Sequence, residues 1–428
     1  MLDIKEIRSK PDLFKQQLDL RSAGLGVVID EILSCDEQRR KLETQKQELQ
    51  AQRKQISKQI GQLKQKGEDS SEIEATVRGI GDEIKAIEEQ AQAASQEQEQ
   101  LLLNTPNIPH LACVAGASDA DNVYIRSWGE KLPVDEPEDH VQIATRLGLI
   151  DFEGGVRLSG SGFVAYRGKG AKLQRALIQF LLDLQTEENG YEEVNVPHMV
   201  LAECMQGTGQ LPKFGEDMYA IKGEDDNEAA DLFLIPTAEV PVTNLYREHL
   251  LSEDQLPIKM TAHTPCFRQE AGAAGKVNRG IIRLHQFEKV ELVQIVKPQD
   301  SDETLEILTG HAESALQKLG LHYQVVELCS GDLGFSAQKT YDLEVWAPGQ
   351  GQYLEISSCS NFGDYQARRM RLRYKDEDGN NQFCHTLNGS GLALPRLMVA
   401  VLEQGQQENG SIKLPQALVP YFGTDTIR

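Results

Sequence analysis

The stretch TPCFRQEAGAAGKVNRGIIRLHQFEKVE, residues 264–291, reads as two strands joined by a loop. Phe267, Arg268 and Glu270 end the first strand. A loop of Gly, Ala, Lys, Asn and Arg follows, and then Ile282, Leu284, Gln286 and Glu288 alternate along the second. The chemistry suits a nucleotide. Arg268 offers a planar fork to phosphate or carboxylate oxygens. Glu270 can accept from an amino group, and Phe287 is a flat face on which a purine can stack. An ordinary amphipathic hairpin with surface charges would read in the same way, so the rest of the chain has to decide.

With 428 residues, 39% of them hydrophobic and 26% charged, the chain is long enough for two or three domains of a soluble globular protein. No apolar run approaches the roughly 20 residues that cross a bilayer, so no membrane partner is expected. The opening MLDIKEIRSKPD has the features of neither a signal nor a transit peptide, which predicts the cytoplasm. Seven cysteines are scattered without a CxxC pair, and nine histidines show no HExxH or HxH pairing. Reduced thiols and no zinc are expected.

A net charge of -22 on its own speaks against a nucleic-acid partner, and no DNA partner is expected. The local balance is different. Between Asp36 and Lys66 nine basic residues face four acidic ones, and from Ser70 to Leu103 two basic residues face eight acidic ones. Leu42, Leu49, Ile56 and Leu63 recur every seven residues, with Ile60 between. A break at Lys66-Gly67-Glu68-Asp69-Ser70 precedes Ser71-x-x-Glu74, which reads as a capping box. Ile73, Val77, Ile80, Ile84, Ile87, Ala91, Ala94 and Leu101 then form a sustained heptad seam. Residues 28–103 are therefore expected to form an antiparallel two-helix arm, roughly 57 Å long at 1.5 Å per residue. A shorter helix, with Ser9 as cap and Pro11 in its first turn, is expected before it, ending at Gly24 and Gly26. An arm with so thin a core suits a strut, a dimer contact or a partner surface. Its basic side favours an extended anion such as RNA.

Asn104-Thr-Pro-Asn-Ile-Pro109 marks a boundary, giving domains over 1–108 and 109–428. Beyond it, residues 168–190 read as a helix with Leu173, Leu177, Phe180, Leu181 and Leu184 on one face. It runs into an extended segment, 191–197, closed by Pro197. Short strands then alternate with loops and single helices, which predicts an α+β domain on an antiparallel sheet flanked by helices. GEDDNEAAD, residues 223–231, reads as an acidic surface loop. Near the end, HTLNGSGLALPR, residues 385–396, reads as a glycine-rich turn opening an apolar helix, with Arg396 in its first turns.

The helix-then-strand to Pro197, the FRQE hairpin and the glycine-rich block with Arg396 resemble, in that order, motifs 1, 2 and 3 of the class II aminoacyl-tRNA synthetases. Thr237-Ala238-Glu239, RQEAG with RGIIRLHQFEKVEL, Glu355-Ile356-Ser357-Ser358-Cys359-Ser360-Asn361, TLNGSGLALPR and the helical arm are similar to the bacterial-type seryl-tRNA synthetases over essentially the whole chain. That resemblance implies formation of seryl-adenylate from L-serine and ATP with Mg²⁺. Transfer to the terminal ribose of tRNA(Ser) follows, and to tRNA(Sec) in a host that has it.

The resemblance also distributes roles. It implies that Arg268 bridges the α-phosphate and the serine carboxylate, that Arg396 holds the γ-phosphate, and that Phe287 stacks the adenine. Gln269, Glu270, Glu355, Ile356, Ser357 and Ser358 are implied beside ATP, with Glu355 and Ser358 also near the magnesium. Glu355 joins the two arginines as a catalytic group. Thr237, Ala238, Glu239, Arg268, Glu291, Asn388 and Ser390 are implied beside serine. A site that pairs the substrate hydroxyl rejects alanine by on the order of 10⁴. Arg39, Arg40, Arg53, Lys54 and Lys58 of the arm, and Lys276 and Arg279 of the hairpin loop (with Asn278 between them), are implied against tRNA. A homodimer formed through motif 1 is also implied, one subunit's arm serving the tRNA on the other.

Two other enzymes and a scaffold compete with this assignment. A synthetase-like ligase that loads serine onto a carrier other than tRNA is expected to lack the arm. A threonine or proline enzyme of the same class is also conceivable, but a threonine site is expected to use zinc, and Cys329, Cys359 and Cys384 offer no such spacing. A non-enzymatic coiled-coil scaffold would leave the FRQE hairpin and TLNGSGLALPR without a purpose.

Overall fold

The computed structural model describes residues 1–131, 136–221, 232–270 and 279–428. Lys276, Asn278 and the acidic segment 223–231 lie outside them. The chain divides into two compact units, Leu2–Pro106 and Asn107–Arg428, with Met1 belonging to the second.

In the first unit, two helices of 39 and 34 residues, α1 (Val28–Lys66) and α2 (Ser71–Asn104), fold back on one another. Cys35 reaches the Ala94 carbonyl and Lys64 reaches Glu74, so they run antiparallel. The opening segment forms two short helices, Ile4–Ser9 and Pro11–Arg21, where the sequence suggested one. Asp3, whose carboxylate accepts from the Lys5 backbone N–H, starts the first, and Pro11 opens the second. Their Ile7, Phe14 and Leu18 are buried, as are Ile29 and Ile32 at the base of the arm.

Leu42, Ile84, Ala91 and Ala94 of the heptad seam are buried, whereas Leu49, Ile56 and Leu63 are only half-buried. A two-helix seam covers each knob from one side only, and near the base the short helices supply the missing cover. The skipped heptad position is Gln98. It is buried, and its amide donates to Asp36 at 3.0 Å. Asp36 also meets Arg39 and Arg8, each at 3.2 Å. Burial works against the Asp36 charge, but the Gln98 amide and the two guanidinium groups prevail and hold its carboxyl below the usual range. The capping box expected at Ser71 does not form: the cap lies one residue earlier, and its side chain makes no bond to the helix backbone. Ser70 is the cap and donates to Glu74, while Asp69 accepts from Ser71.

The second unit is built on an eight-stranded sheet: β1 (Val123–Trp128), β2 (Glu192–Glu193), β3 (Ile258–Phe267), β4 (Gln286–Val296), β5 (Tyr323–Glu327), β6 (Lys339–Ala347), β7 (Gln352–Asn361) and β8 (His385–Ala393). The order is β1-β5-β6-β7-β8-β4-β3-β2. Every pairing is antiparallel except that of β2 with β3, so the sheet is of the expected class. Of the extended segment 191–197 only Glu192–Glu193 pairs as strand. Three helices bury apolar faces on the sheet: α3 (Lys169–Asp183), α4 (Ser301–Lys318) and α5 (Leu394–Gln404). The last turn of α3 widens over Leu184–Glu188, which carries the helix on to the Asn189-Gly190 stop.

Two local expectations are corrected. The return leg of the hairpin is not strand before Gln286, because its backbone groups are taken by other elements. The glycine-rich block is strand β8, and the helix begins only at Leu394. Gly389 is glycine because α4 passes directly above it. A Cβ there would come within 2.4 Å of Leu308 and 2.9 Å of the Cys359 sulfur.

Candidate functional site

Strand alternation sends Phe287, Lys289 and Glu291 of β4, Asn388 and Ser390 of β8, and Ser358 of β7 to one face of the sheet. There they meet the short helix Glu239–Asn244 and its N-terminal Thr237. The cavity above them has a volume of about 390 Å³.

Its floor is a pair of carboxylates. Glu239 is 6% and Glu291 1% exposed. The Asn388 amide donates to both, at 3.0 Å to Glu239 and 3.2 Å to Glu291. Thr237 donates to Glu291 at 2.8 Å, and Gln366 donates to the other oxygen of Glu239 at 2.7 Å. Lys289 supplies the counter-charge: it pairs with Glu291 and donates to the Thr237 hydroxyl at 2.8 Å. Burial, and then the neighbouring Glu291, push the Glu239 carboxyl up to about 7, opposed by Gln366, Lys289 and Arg268.

Arg268 stands at the wall. Its guanidinium lies 5.2 Å from the Phe287 ring centroid, and its Nε donates to the Pro236 carbonyl at 3.3 Å. Glu270, in the left-handed region at φ 51, pairs with Arg283. At the far end Arg396 donates to the carbonyls of Ile282 (3.2 Å) and Glu355, with the Glu355 carboxylate 3.5 Å away. A bulge in β7 skips Ile356 in the pairing with β6. It brings Glu355 to the side that Ser358 faces, where strict alternation would send it away.

The cavity therefore gathers Arg268, Glu270, Phe287, Glu355, Ile356, Ser358, Arg396, Thr237, Glu239, Asn388 and Ser390, with Glu291 just beneath. It does not gather three of the residues expected there. Gln269 turns away and donates to the Met218 carbonyl at 2.7 Å. The Ser357 hydroxyl points through the sheet to the Ser390 carbonyl at 2.6 Å. Ala238 is fully buried in the core. Residues missed at the sequence level are Lys289 and Phe335, which line the cavity, and Gln366, which holds Glu239 from behind it. Lys289 was within reach, since it sits two residues from both Phe287 and Glu291 on a strand.

Residues 1–109 match the Seryl-tRNA synthetase N-terminal domain, and residues 219–405 match the tRNA synthetase class II core domain (G, H, P, S and T). The serine–tRNA ligase of Akkermansia muciniphila is 63% identical over 428 residues, covering 100% of this chain and 99% of the relative. The chain belongs to the seryl-tRNA synthetase family. The serine–tRNA ligase of Methylibium petroleiphilum is 50% identical over 426 residues, covering 99% of this chain and 98% of its own. Among solved structures, seryl-tRNA synthetase from Pyrococcus horikoshii complexed with ATP superposes with a TM-score of 0.92 at 36% identity. That match covers 100% of this chain and 99% of the other.

The arm residues separate into two groups. Arg53, Lys54 and Lys58 line one hollow on α1 with Gln50 and Ser57, at helical spacing. Arg39 is instead held by Asp36, with Arg40 4.0 Å from the same carboxylate. Arg279 is held by Asp139 at 3.0 Å, and Lys276 is outside the described residues.

No cluster of three His, Cys, Asp or Glu side chains that could hold a metal occurs among the described residues. A magnesium ion carried on phosphates needs only one or two protein oxygens. The synthetase offers Glu355 and Ser358. Asp342 stands opposite Ser358 in the β6–β7 register, and its buried Oδ1 has no hydrogen-bond partner. Burial, and then Glu355, raise the Asp342 carboxyl well above its ordinary range. An all-oxygen set with one unsatisfied carboxylate atom fits a hard cation. Among the described residues no helix is long and apolar enough to cross a membrane.

Proposed function

We propose that this chain activates L-serine with ATP to seryl-adenylate and transfers the seryl group to the 3′-terminal adenosine of tRNA(Ser). The observation that carries this is the cavity itself. A buried pair of carboxylates, Glu239 and Glu291, lies at one end beside Arg268, and Arg396 lies at the other.

The serine carboxylate is already ionised and can attack the α-phosphorus in line, so no general base is required. Positioning and charge neutralisation then carry the rate. Arg268 holds the two reacting anions together, Phe287 receives the adenine, and Arg396 takes the γ-phosphate as pyrophosphate leaves. The α-ammonium of serine meets Glu291 and Thr237, sharing them with Lys289. Its hydroxyl meets Glu239 and Ser390, and pairing it there leaves alanine with unsatisfied partners. Glu355 and Ser358 would hold a magnesium ion with the phosphates, and that ion would neutralise charge at the leaving oxygens.

Arg53, Lys54 and Lys58 grip the tRNA through its phosphates, so recognition follows RNA shape and salt. The working form is a cytoplasmic homodimer, and tRNA(Sec) is a second substrate in a host that makes it. Amino-acid-dependent ATP–pyrophosphate exchange, run across the common amino acids, tests the central assignment. Exchange with serine is expected, and its absence would end this assignment.

A further inference from the structure

Helix α5 holds the return leg of the hairpin twice, at consecutive residues. From its start, Arg396 donates to the Ile282 carbonyl at 3.2 Å. From its end, Glu403 acts through His140. Both side chains are fully buried. Glu403 Oε1 lies 2.9 Å from His140 Nδ1 and accepts from the His140 backbone N–H, also at 2.9 Å. Its other oxygen accepts from the Gly349 N–H at 2.9 Å. On the far side of the ring, the Ile281 backbone N–H meets His140 Nε2 at 3.3 Å.

A backbone N–H can only donate, so Nε2 must accept, and the ring proton sits on Nδ1 facing Glu403. The neighbours tighten the contact. Gly280 has φ 68 and passes so close that a Cβ would come within 2.1 Å of Nε2. Arg279 is held by Asp139, the residue before His140.

We propose that His140, oriented by Glu403, is a positioning residue for the ATP half of the site. It touches no substrate. It fixes residues 279–283 against α5, and through them the Ile282 carbonyl that Arg396 uses and the Arg283 that holds Glu270. This inference rests on the assignment of Arg396 and the hairpin to ATP.

The informative variant is His140→Asn. An asparagine amide can replace Nδ1 as the donor to Glu403, but it offers no acceptor where Nε2 stood. In serine-dependent exchange we expect KM for ATP to rise about tenfold, the worth of one buried hydrogen bond, with KM for serine within about twofold. Backbone amide exchange in a peptide spanning 279–284 accelerates, while strand β5 is unaffected. Equal rises in both KM values, an unchanged KM for ATP, or unaltered amide exchange at 279–284 would overturn the proposal. If His140→Asn does not fold, Glu403→Gln decides the matter, because it keeps the shape but turns an amide toward one of the donors. The same split is expected, and an unchanged KM for ATP would count against the role. Full exchange in Arg396→Ala would remove the ATP assignment instead, and accelerated amide exchange in His140→Asn would survive that result.

Discussion

Lys289 donates to the Thr237 hydroxyl at 2.8 Å, and that hydroxyl in turn donates to Glu291 at the same distance. The pocket proposed for serine thus contains an ammonium of its own, bound to the groups assigned to the substrate's. Lys289 also opposes the rise in the Glu239 carboxyl. Lys289→Met is expected to raise KM for serine at pH 7 by about tenfold, because the carboxylate pair loses its counter-charge and Glu239 is pushed further toward its neutral form. Exchange kinetics at varied serine check this, and raising the pH should recover part of the loss.

The Glu239 carboxyl, pushed up to about 7 by burial and Glu291, gives the pocket a pH signature. Serine affinity should fall as the pH drops through 7. The stability effect has the opposite sign. Between about 4.5 and 7 the folded state binds a proton that the unfolded state has released, so this group lowers stability as pH rises, by about 3 kcal/mol in all. Unfolding of Glu239→Gln should show a flatter dependence on pH across that window than the parent protein does.

Arg268→Ala removes the guanidinium proposed to bridge the two reacting anions and is expected to abolish serine-dependent exchange, a loss of at least about 10³-fold. Retained exchange would take the role away from Arg268.

Arg53→Ala combined with Lys54→Ala is expected to weaken aminoacylation while sparing exchange, and to lower the salt slope of tRNA binding by about two. If exchange falls in parallel, the basic hollow on α1 is not the RNA grip.

The parts legible in the sequence are those whose partners lie close by in the chain or repeat at a fixed period. The heptads of the arm, the apolar face of α3, and the Arg268, Phe287 and Glu291 run of the hairpin are of this kind. Gln366 was not legible, because it meets Glu239 across 127 residues. His140 was not legible for the same reason, since its partner Glu403 is 263 residues away. The two mistaken elements have physical causes too. Gly389 and Gly391 look like a turn, but their missing side chains make room for Leu308 at Gly389 and for Val290 and Leu292 at Gly391. The return leg alternates like a strand, yet the Ile281 N–H goes to His140 and the Ile282 carbonyl to Arg396.

The arm is anchored at Asp36 and Gln98 and has little interior beyond Leu42. Its outer portion is therefore modular. Adding or deleting a matched pair of heptads would move the tip by roughly 10 Å and leave the anchor untouched. Evolution could tune the reach of this limb to RNAs of different girth without renegotiating the rest of the protein.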